Sequence, residues 1–328
     1  MPMIPKIIHY TWLGGNPLPE LEQQCLASWH QHMPDWKFIR WDESNFDIAA
    51  APLYVRQAYE ARKYAFVSDY VRLWALERFG GLYMDVDFMV YRPFDDLMEK
   101  YIAFAGYEGS KRQPVMQGVI ASEPHGTWVT DMLRTYVTRA FIKEDGSLDM
   151  TPNTTYFSDR LEAQGFIADG VEKDFYLEQE TKTQINTACA DINIENTSKP
   201  KMNNPQSSDD DSPSLDPKSA HMQASGQPSA QSCANSLPDY SEKNDSILES
   251  QKNPKNNDGK VFMLHVFPVH YFCPVLTTGE DVRTEETYCE HLGESSWANK
   301  GGWKIKVLAL VSPSMRTKLI KLKRALLG

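Results

Sequence analysis

Residues 6–12, Lys6-Ile7-Ile8-His9-Tyr10-Thr11-Trp12, form an apolar run rich in β-branched and aromatic side chains that stops at Gly14-Gly15-Asn16-Pro17. That pattern predicts a first strand followed by a loop. Residues 19–32 read as a helix, and residues 36–41 alternate aromatic or apolar with polar positions, as a second strand does. Residues 62–79 place Phe66, Tyr70, Leu73, Trp74 and Leu76 at helical spacing, with Gly80-Gly81 as a C-terminal stop. The next strand is expected over residues 82–91 and is closed by Pro93. Strand, helix, strand, helix, strand is the order of an α/β fold with an open, mostly parallel sheet flanked by helices. In such sheets ligands sit at the carboxyl ends of the strands.

The pattern stops at residues 185–258, which hold thirteen Ser, ten Asn and seven Pro but no Phe or Trp and one Tyr. A segment of that composition has nothing with which to build a core, so it is expected to be a disordered insertion. Aromatic-rich sequence resumes beyond it. Residues 1–184 and 259–303 are therefore expected to form one folded domain, interrupted by the insertion and followed by a basic tail, 304–328.

The net charge of −10 disfavours a nucleic-acid or polyanion binder, and any phosphate must be met by local groups. The insertion carries eleven acidic and six basic residues, so its charge of −5 equals half of the chain's total. The five cysteines are odd in number and widely spaced, with no CxxC pair, and read as reduced thiols of a cytoplasmic protein. No signal-peptide pattern opens the chain, and no apolar run approaches the roughly 18 residues that a membrane-spanning helix needs.

Within the expected strand 82–91, Asp85 and Asp87 stand two apart, and alternation sends both carboxylates and Tyr83 to one face. Two like charges on one face call for a cation between them. A hard divalent ion, Mn²⁺ or Mg²⁺, with diphosphate oxygens as further ligands meets that need. Asp-x-Asp alone is common by chance; its surroundings narrow the reading.

Those surroundings are Ser68-Asp69-x-x-Arg72, then Leu76, Gly80-Gly81 and Tyr83-Met84-Asp85-Val86-Asp87. Over some twenty positions this run resembles the glycosyltransferase family whose sugar-binding region contains the DXD motif, a group including bacterial capsular-polysaccharide transferases, yeast initiating mannosyltransferases and clostridial glucosylating toxins. The resemblance implies a GT-A-like, Rossmann-related fold. It also implies that Asp69 and Arg72 address the donor sugar and phosphate, that Tyr83 lies near the ribose, that Asp85 contacts ribose or metal, and that Asp87 is the more direct metal ligand. Segment 9–14, His9-Tyr10-Thr11-Trp12-Leu13-Gly14, is similar to the family's opening strand, so His9 and Trp12 are expected at the nucleotide, with Trp12 stacking on the base.

Beyond the insertion, residues 284–297 look like the closing segment of the bacterial members, where two adjacent histidines precede Ser-Trp. Here Glu290 replaces the first histidine, which leaves His291 as the expected third metal ligand and Ser296 and Trp297 as residues of a loop over the diphosphate. Gln117 stands where the family often has Asn, and residues 149–159 are expected to border the acceptor. The resemblance thus implies a metal-dependent, retaining hexosyltransferase. It would move a hexosyl or N-acetylhexosaminyl unit from a nucleotide-sugar, with UDP-sugar preferred, to a glycan or lipid-linked acceptor in surface polysaccharide or capsule synthesis.

The tail places Arg316, Lys318, Lys321, Lys323 and Arg324 beside Leu319, Ile320, Leu322, Leu326 and Leu327. As a helix it suits either packing on the domain or peripheral contact with the inner face of an anionic membrane. Two rivals remain open. Haloacid-dehalogenase phosphatases also begin with Asp-x-Asp but have Thr or Val where this chain has Met89. A carbohydrate-binding protein on the same fold would bind without turnover.

Overall fold

A computed structural model describes residues 4–109, 114–178 and 260–293. The expected insertion 185–258, the tail 304–328, and Ser296 and Trp297 lie outside the described residues. All described residues belong to one unit of the chain, 1–200 with 254–328, and the other unit, 201–253, falls wholly outside them.

Strands β1 (Ile7–Thr11) and β2 (Lys37–Trp41) flank helix α1 (Glu20–His32), as the alternation predicts. Helix α2 (Leu53–Glu60) was not legible in the pattern; it buries only Tyr54, Val55 and Ala58, too few positions to show a period. Arg62 has a left-handed φ of 56°, so the third helix begins two residues later than expected, as α3 (Tyr64–Phe79). Helix α3 buries Phe66, Val67, Tyr70, Val71, Leu73, Ala75 and Leu76 around much of its circumference. It packs against strands on one side and against α2 and a later helix on the other, so a single apolar stripe would not suffice. Gly80 and Gly81 then take φ of 61° and 112°, and a Cβ on Gly81 would stand 2.6 Å from the Ile7 carbonyl oxygen. Only glycine lets the chain reverse this closely against β1.

The chain continues through β3 (Gly81–Met84), β4 (Phe88–Val90), α4 (Asp95–Lys100), β5 (Ala103–Tyr107), β6 (Val115–Ser122), α5 (Thr127–Thr138), α6 (Asn153–Ala163), β7 (Lys173–Glu178), β8 (Lys260–Phe267), α7 (Val269–Phe272) and β9 (Cys289–His291). Seven strands form one sheet in the order β2-β1-β3-β6-β5-β8-β7, and β4 pairs with β9 in a separate two-stranded ladder. Parallel pairing joins β1 to β2 and β3, and β5 to β8, while β6 and β7 run antiparallel to their neighbours. Strands β1, β2, β3, β5 and β8 therefore point one way, which is the mostly parallel α/β sheet that was expected. Every residue of β3, β5 and β6 is buried, as befits strands covered on both faces.

The expected continuous strand over 82–91 is corrected. Strand β3 ends at Met84, residues 85–87 turn, with the Phe88 amide donating to the Asp85 carbonyl (3.2 Å), and β4 leaves the main sheet. Helix α1 draws it away: Trp29 Nε1 donates to the Phe88 carbonyl (2.7 Å), the Val90 amide donates to Ser28 Oγ (3.0 Å), and Phe88 and Val90 bury beside Trp29. Apolar residues continue through the break, so alternation did not reveal it. Asp85 and Asp87 consequently sit on a turn at the carboxyl end of β3 and not on one strand face.

Strands β7 and β8 are adjacent and antiparallel, with Glu178 opposite Lys260, so residues 179–259 leave and rejoin the sheet at a cross-strand pair. Paired Cα atoms in such a ladder are about 5 Å apart, a gap that a two-residue Asn-Gly turn closes. Replacing 179–259 by Asn-Gly is expected to leave the melting temperature within about 5 °C of the full chain. A cooperative transition lost altogether in a thermal melt would show that the excised residues belong to the fold.

Candidate active site

The site is built around a buried guanidinium. Arg72, on the third turn of α3, reaches the carboxyl end of β3 and is 5% exposed. Its NH1 donates to the Gln117 carbonyl of β6 (2.5 Å) and its Nε to the Ser68 carbonyl (3.3 Å). Its NH2 lies 3.0 Å from Asp69 Oδ1 and 3.3 Å from Asp85 Oδ1, and the group sits 4.8 Å from the centre of the Tyr83 ring. The spacing of Asp69 and Arg72 on one helix face thus forms a buried pair and not a solvated one. Asn153, at the start of α6, donates from Nδ2 to the Asp69 carbonyl (3.4 Å).

Tyr83 is buried on β3, and its hydroxyl donates to Asp85 Oδ1 (3.0 Å). The Asp85 amide donates to the Gly118 carbonyl (2.9 Å). Two residues on, Asp87 faces β9: its Oδ2 lies 3.1 Å from His291 Nε2, and its carbonyl accepts from the Leu292 amide (2.9 Å). The His291 ring stacks on Phe88, its partner across the β4–β9 ladder, with centroids 4.7 Å apart. The chain thus brings Asp69, Arg72, Tyr83, Asp85, Asp87 and His291 together although they span more than two hundred positions.

Environment separates the two DXD carboxyls. Burial and the nearby Asp87 charge lift Asp85 above the ordinary range in spite of Arg72. Burial pushes Asp87 the same way, but His291 holds it below that range. Burial lowers the His291 imidazole, yet Asp87 and Asp85 raise it to about 9. Burial lifts Asp69 to about 6 against the pull of Arg72. Arg72 stays charged, since Asp85, Tyr83 and Asp69 offset its desolvation. Burial and neighbouring charges thus draw the carboxyl pKa values of one site apart.

The expected metal ligands are Asp85, Asp87 and His291. Asp85 is turned to Arg72 and Tyr83, and among the described residues no three His, Cys, Asp or Glu side chains are placed to hold a metal by themselves. The Asp87 carboxylate and the His291 imidazole that face each other are a donor pair suited to Mn²⁺ when phosphate oxygens supply the remaining ligands.

His9 is also corrected. It is fully buried in β1; Trp41 Nε1 donates to its Nδ1 (3.1 Å) and its Nε2 donates to the Gly80 carbonyl (2.9 Å). Burial lowers its pKa to about 4, so a neutral imidazole pins β1 to the Gly80-Gly81 turn and has no nitrogen left for a nucleotide. Trp12, just past the end of β1, is half-buried, and its Nε1 donates to the Asn16 carbonyl (2.6 Å).

The sequence assigned no individual role to Ser68, Gly118, Asn153 or Gly293. Gly293 closes over Asp87: a Cβ there would overlap the carboxylate. Gly293→Ala is expected to push Asp87 off His291 and lower turnover about ten- to a hundred-fold with little change in melting temperature. Wild-type turnover in a nucleotide-release assay would refute that placement.

With the geometry in view, residues 19–103 match the family described as the glycosyltransferase sugar-binding region containing the DXD motif. This segment includes Asp69, Arg72, Tyr83, Asp85 and Asp87. The chain is 31% identical to inositol phosphoceramide mannosyltransferase 1 of Schizosaccharomyces pombe, over 30% of this chain and 33% of that protein. It is 35% identical to inositol phosphoceramide mannosyltransferase 3 of the same yeast, over 29% and 27%. Glucan organizing enzyme 1 of Cryptococcus neoformans is 24% identical over 42% of this chain and 45% of its own. The matches span about a third of the length of the two mannosyltransferases. Among solved structures, the PaToxG glycosyltransferase covers 57% of this chain and 74% of its own at 16% identity, with a TM-score of 0.38.

Proposed function

We propose that this chain is a metal-dependent, retaining glycosyltransferase. It takes a hexosyl or N-acetylhexosaminyl unit from a nucleotide-sugar, UDP-sugar first in preference, and passes it to a glycan or lipid-linked acceptor in surface polysaccharide synthesis. One observation carries the reading: a DXD turn at the carboxyl end of β3, one carboxylate tied to the buried Arg72 and the other facing His291. The names of two matched relatives, inositol phosphoceramide mannosyltransferases, favour a mannosyl unit and a lipid-linked acceptor among these choices.

A divalent cation held by Asp87 and His291 would supply charge neutralisation for the departing diphosphate. Asp69, lying against Arg72, offers a carboxylate to sugar hydroxyls, and Arg72 adds fixed positive charge beside the phosphate without reorganising. Trp12 stacks on the base, and Ser296 and Trp297 cover the diphosphate, excluding water so that transfer prevails over hydrolysis.

Nucleotide release, measured with Mn²⁺ and a panel of UDP- and GDP-sugars, is expected with at least one donor and should cease when EDTA is added. No release from any donor, with sugar binding intact, would favour the carbohydrate-binding rival. The tail 304–328 is proposed to rest on the cytoplasmic face of an anionic membrane. Salt-sensitive binding to phosphatidylserine vesicles should disappear on deletion of residues 315–328; binding that persists would refute the role of the tail.

A further inference from the structure

Glu290 precedes His291 on β9 and is 4% exposed, so its charge needs buried partners. It has them on the face opposite His291, because neighbouring strand residues point to opposite sides. The Tyr91 hydroxyl donates to Glu290 Oε2, and Arg283 NH2 lies 3.4 Å from the same oxygen. Arg283 NH1 also donates to the Tyr91 hydroxyl (3.3 Å), which closes a three-membered ring of contacts, and Arg283 is itself held by Asp281 (3.1 Å).

The ring joins the residue after β4 to two neighbouring segments far along the chain, the loop that carries Arg283 and β9. Strand β9 is only three residues long, and its ladder to β4 runs from the Tyr91 amide on the Tyr288 carbonyl (2.8 Å) to the Leu292 amide on the Asp87 carbonyl (2.9 Å). So short a ladder is weakly specified by its own hydrogen bonds. A slip of one residue would turn His291 to the far face and bring Glu290, a like charge, towards Asp87.

We infer that Arg283, Glu290 and Tyr91 form a positioning network that fixes the register of β9 on β4 and thereby sets His291 opposite Asp87, tuning the affinity of the site for a divalent cation with a nucleoside diphosphate. The cation part rests on the function proposed above; the register part does not. Glu290 is a positioning residue: its carboxylate meets Tyr91 and Arg283.

The test uses the full chain and two readouts. In Glu290→Gln, which keeps the shape and loses the ion pair, the Leu292 amide in metal-free protein should exchange with D₂O about ten-fold faster, while the amides of β3 and β6 are unchanged. Mn²⁺ binding in the presence of UDP or GDP, followed by paramagnetic resonance, should weaken about ten-fold in the same variant. Joining Glu290→Gln to His291→Ala should weaken binding no further than His291→Ala alone, since both act through one group. Arg283→Met should repeat the Glu290→Gln effects, Arg283→Lys should recover most of the loss, and this pair serves if Glu290→Gln does not fold.

Unchanged exchange at Leu292, or exchange raised throughout the protein, overturns the inference, as does full additivity with His291→Ala. Faster Leu292 exchange in a protein whose wild type binds no Mn²⁺ with nucleotide would uphold the positioning network and refute the metal reading instead.

Discussion

Asparagine at position 87 is expected to reduce nucleotide release about a thousand-fold while leaving the protein folded. Asn matches Asp in shape, and the Asp87 carbonyl that accepts from Leu292 belongs to the backbone, so the turn and the β4–β9 ladder persist. What disappears is the negative charge facing His291. The imidazole, raised to about 9 chiefly by Asp87 once burial is overcome, loses that partner, and the donor pair for a cation becomes a neutral amide beside a weaker base. Asp85→Asn should act differently, because Asp85 spends Oδ1 on Arg72 and Tyr83. Its loss should show in stability as well as in turnover. Nucleotide-release rates and melting curves of the two variants separate these roles, and an Asp87→Asn enzyme retaining a tenth of wild-type turnover would remove Asp87 from the mechanism.

The second large effect is on the fold itself. Arg72→Met is expected to destabilise the protein by about 3–5 kcal/mol, the cost of removing one member of a buried charge cluster. Arg72 is nearly inaccessible, and without it Asp69 and Asp85 face each other with no cation between them. The Gln117 carbonyl also loses its short bond from NH1. The sign can be checked by neutralising the carboxylates: Asp69→Asn and Asp85→Asn added to Arg72→Met should restore part of the loss, since it is uncompensated charge and not missing volume that costs most. Urea unfolding measures both. A loss below about 1 kcal/mol for Arg72→Met would mean that water or backbone already satisfies the two carboxylates.

The DXD carboxylates, the Asp69–Arg72 pair and the glycine turn that delivers them were legible because each is local. An i,i+3 pair on a helix and a double glycine after it carry their geometry in a few residues. The break after Met84 was not legible. Apolar residues serve a main-sheet strand and a departing one equally, and the choice was made by Trp29 and Ser28 on α1. His9 was misplaced for a related reason: a histidine within a strand has the same sequence signal whether it meets a ligand or closes the core through Trp41 and Gly80.

By itself the sequence determined the α/β layering, the turn into β3 and the residue types of the candidate site, since period, glycine placement and charge spacing act over a few positions. Only the tertiary structure decided which DXD carboxylate meets Arg72 and which meets His291. It also decided that Glu290 meets Tyr91 and Arg283, and that residues 178 and 260 are neighbours across a ladder. Those outcomes depend on contacts between segments up to two hundred residues apart, where strand register and side-chain burial, and not local preference, set the free energy.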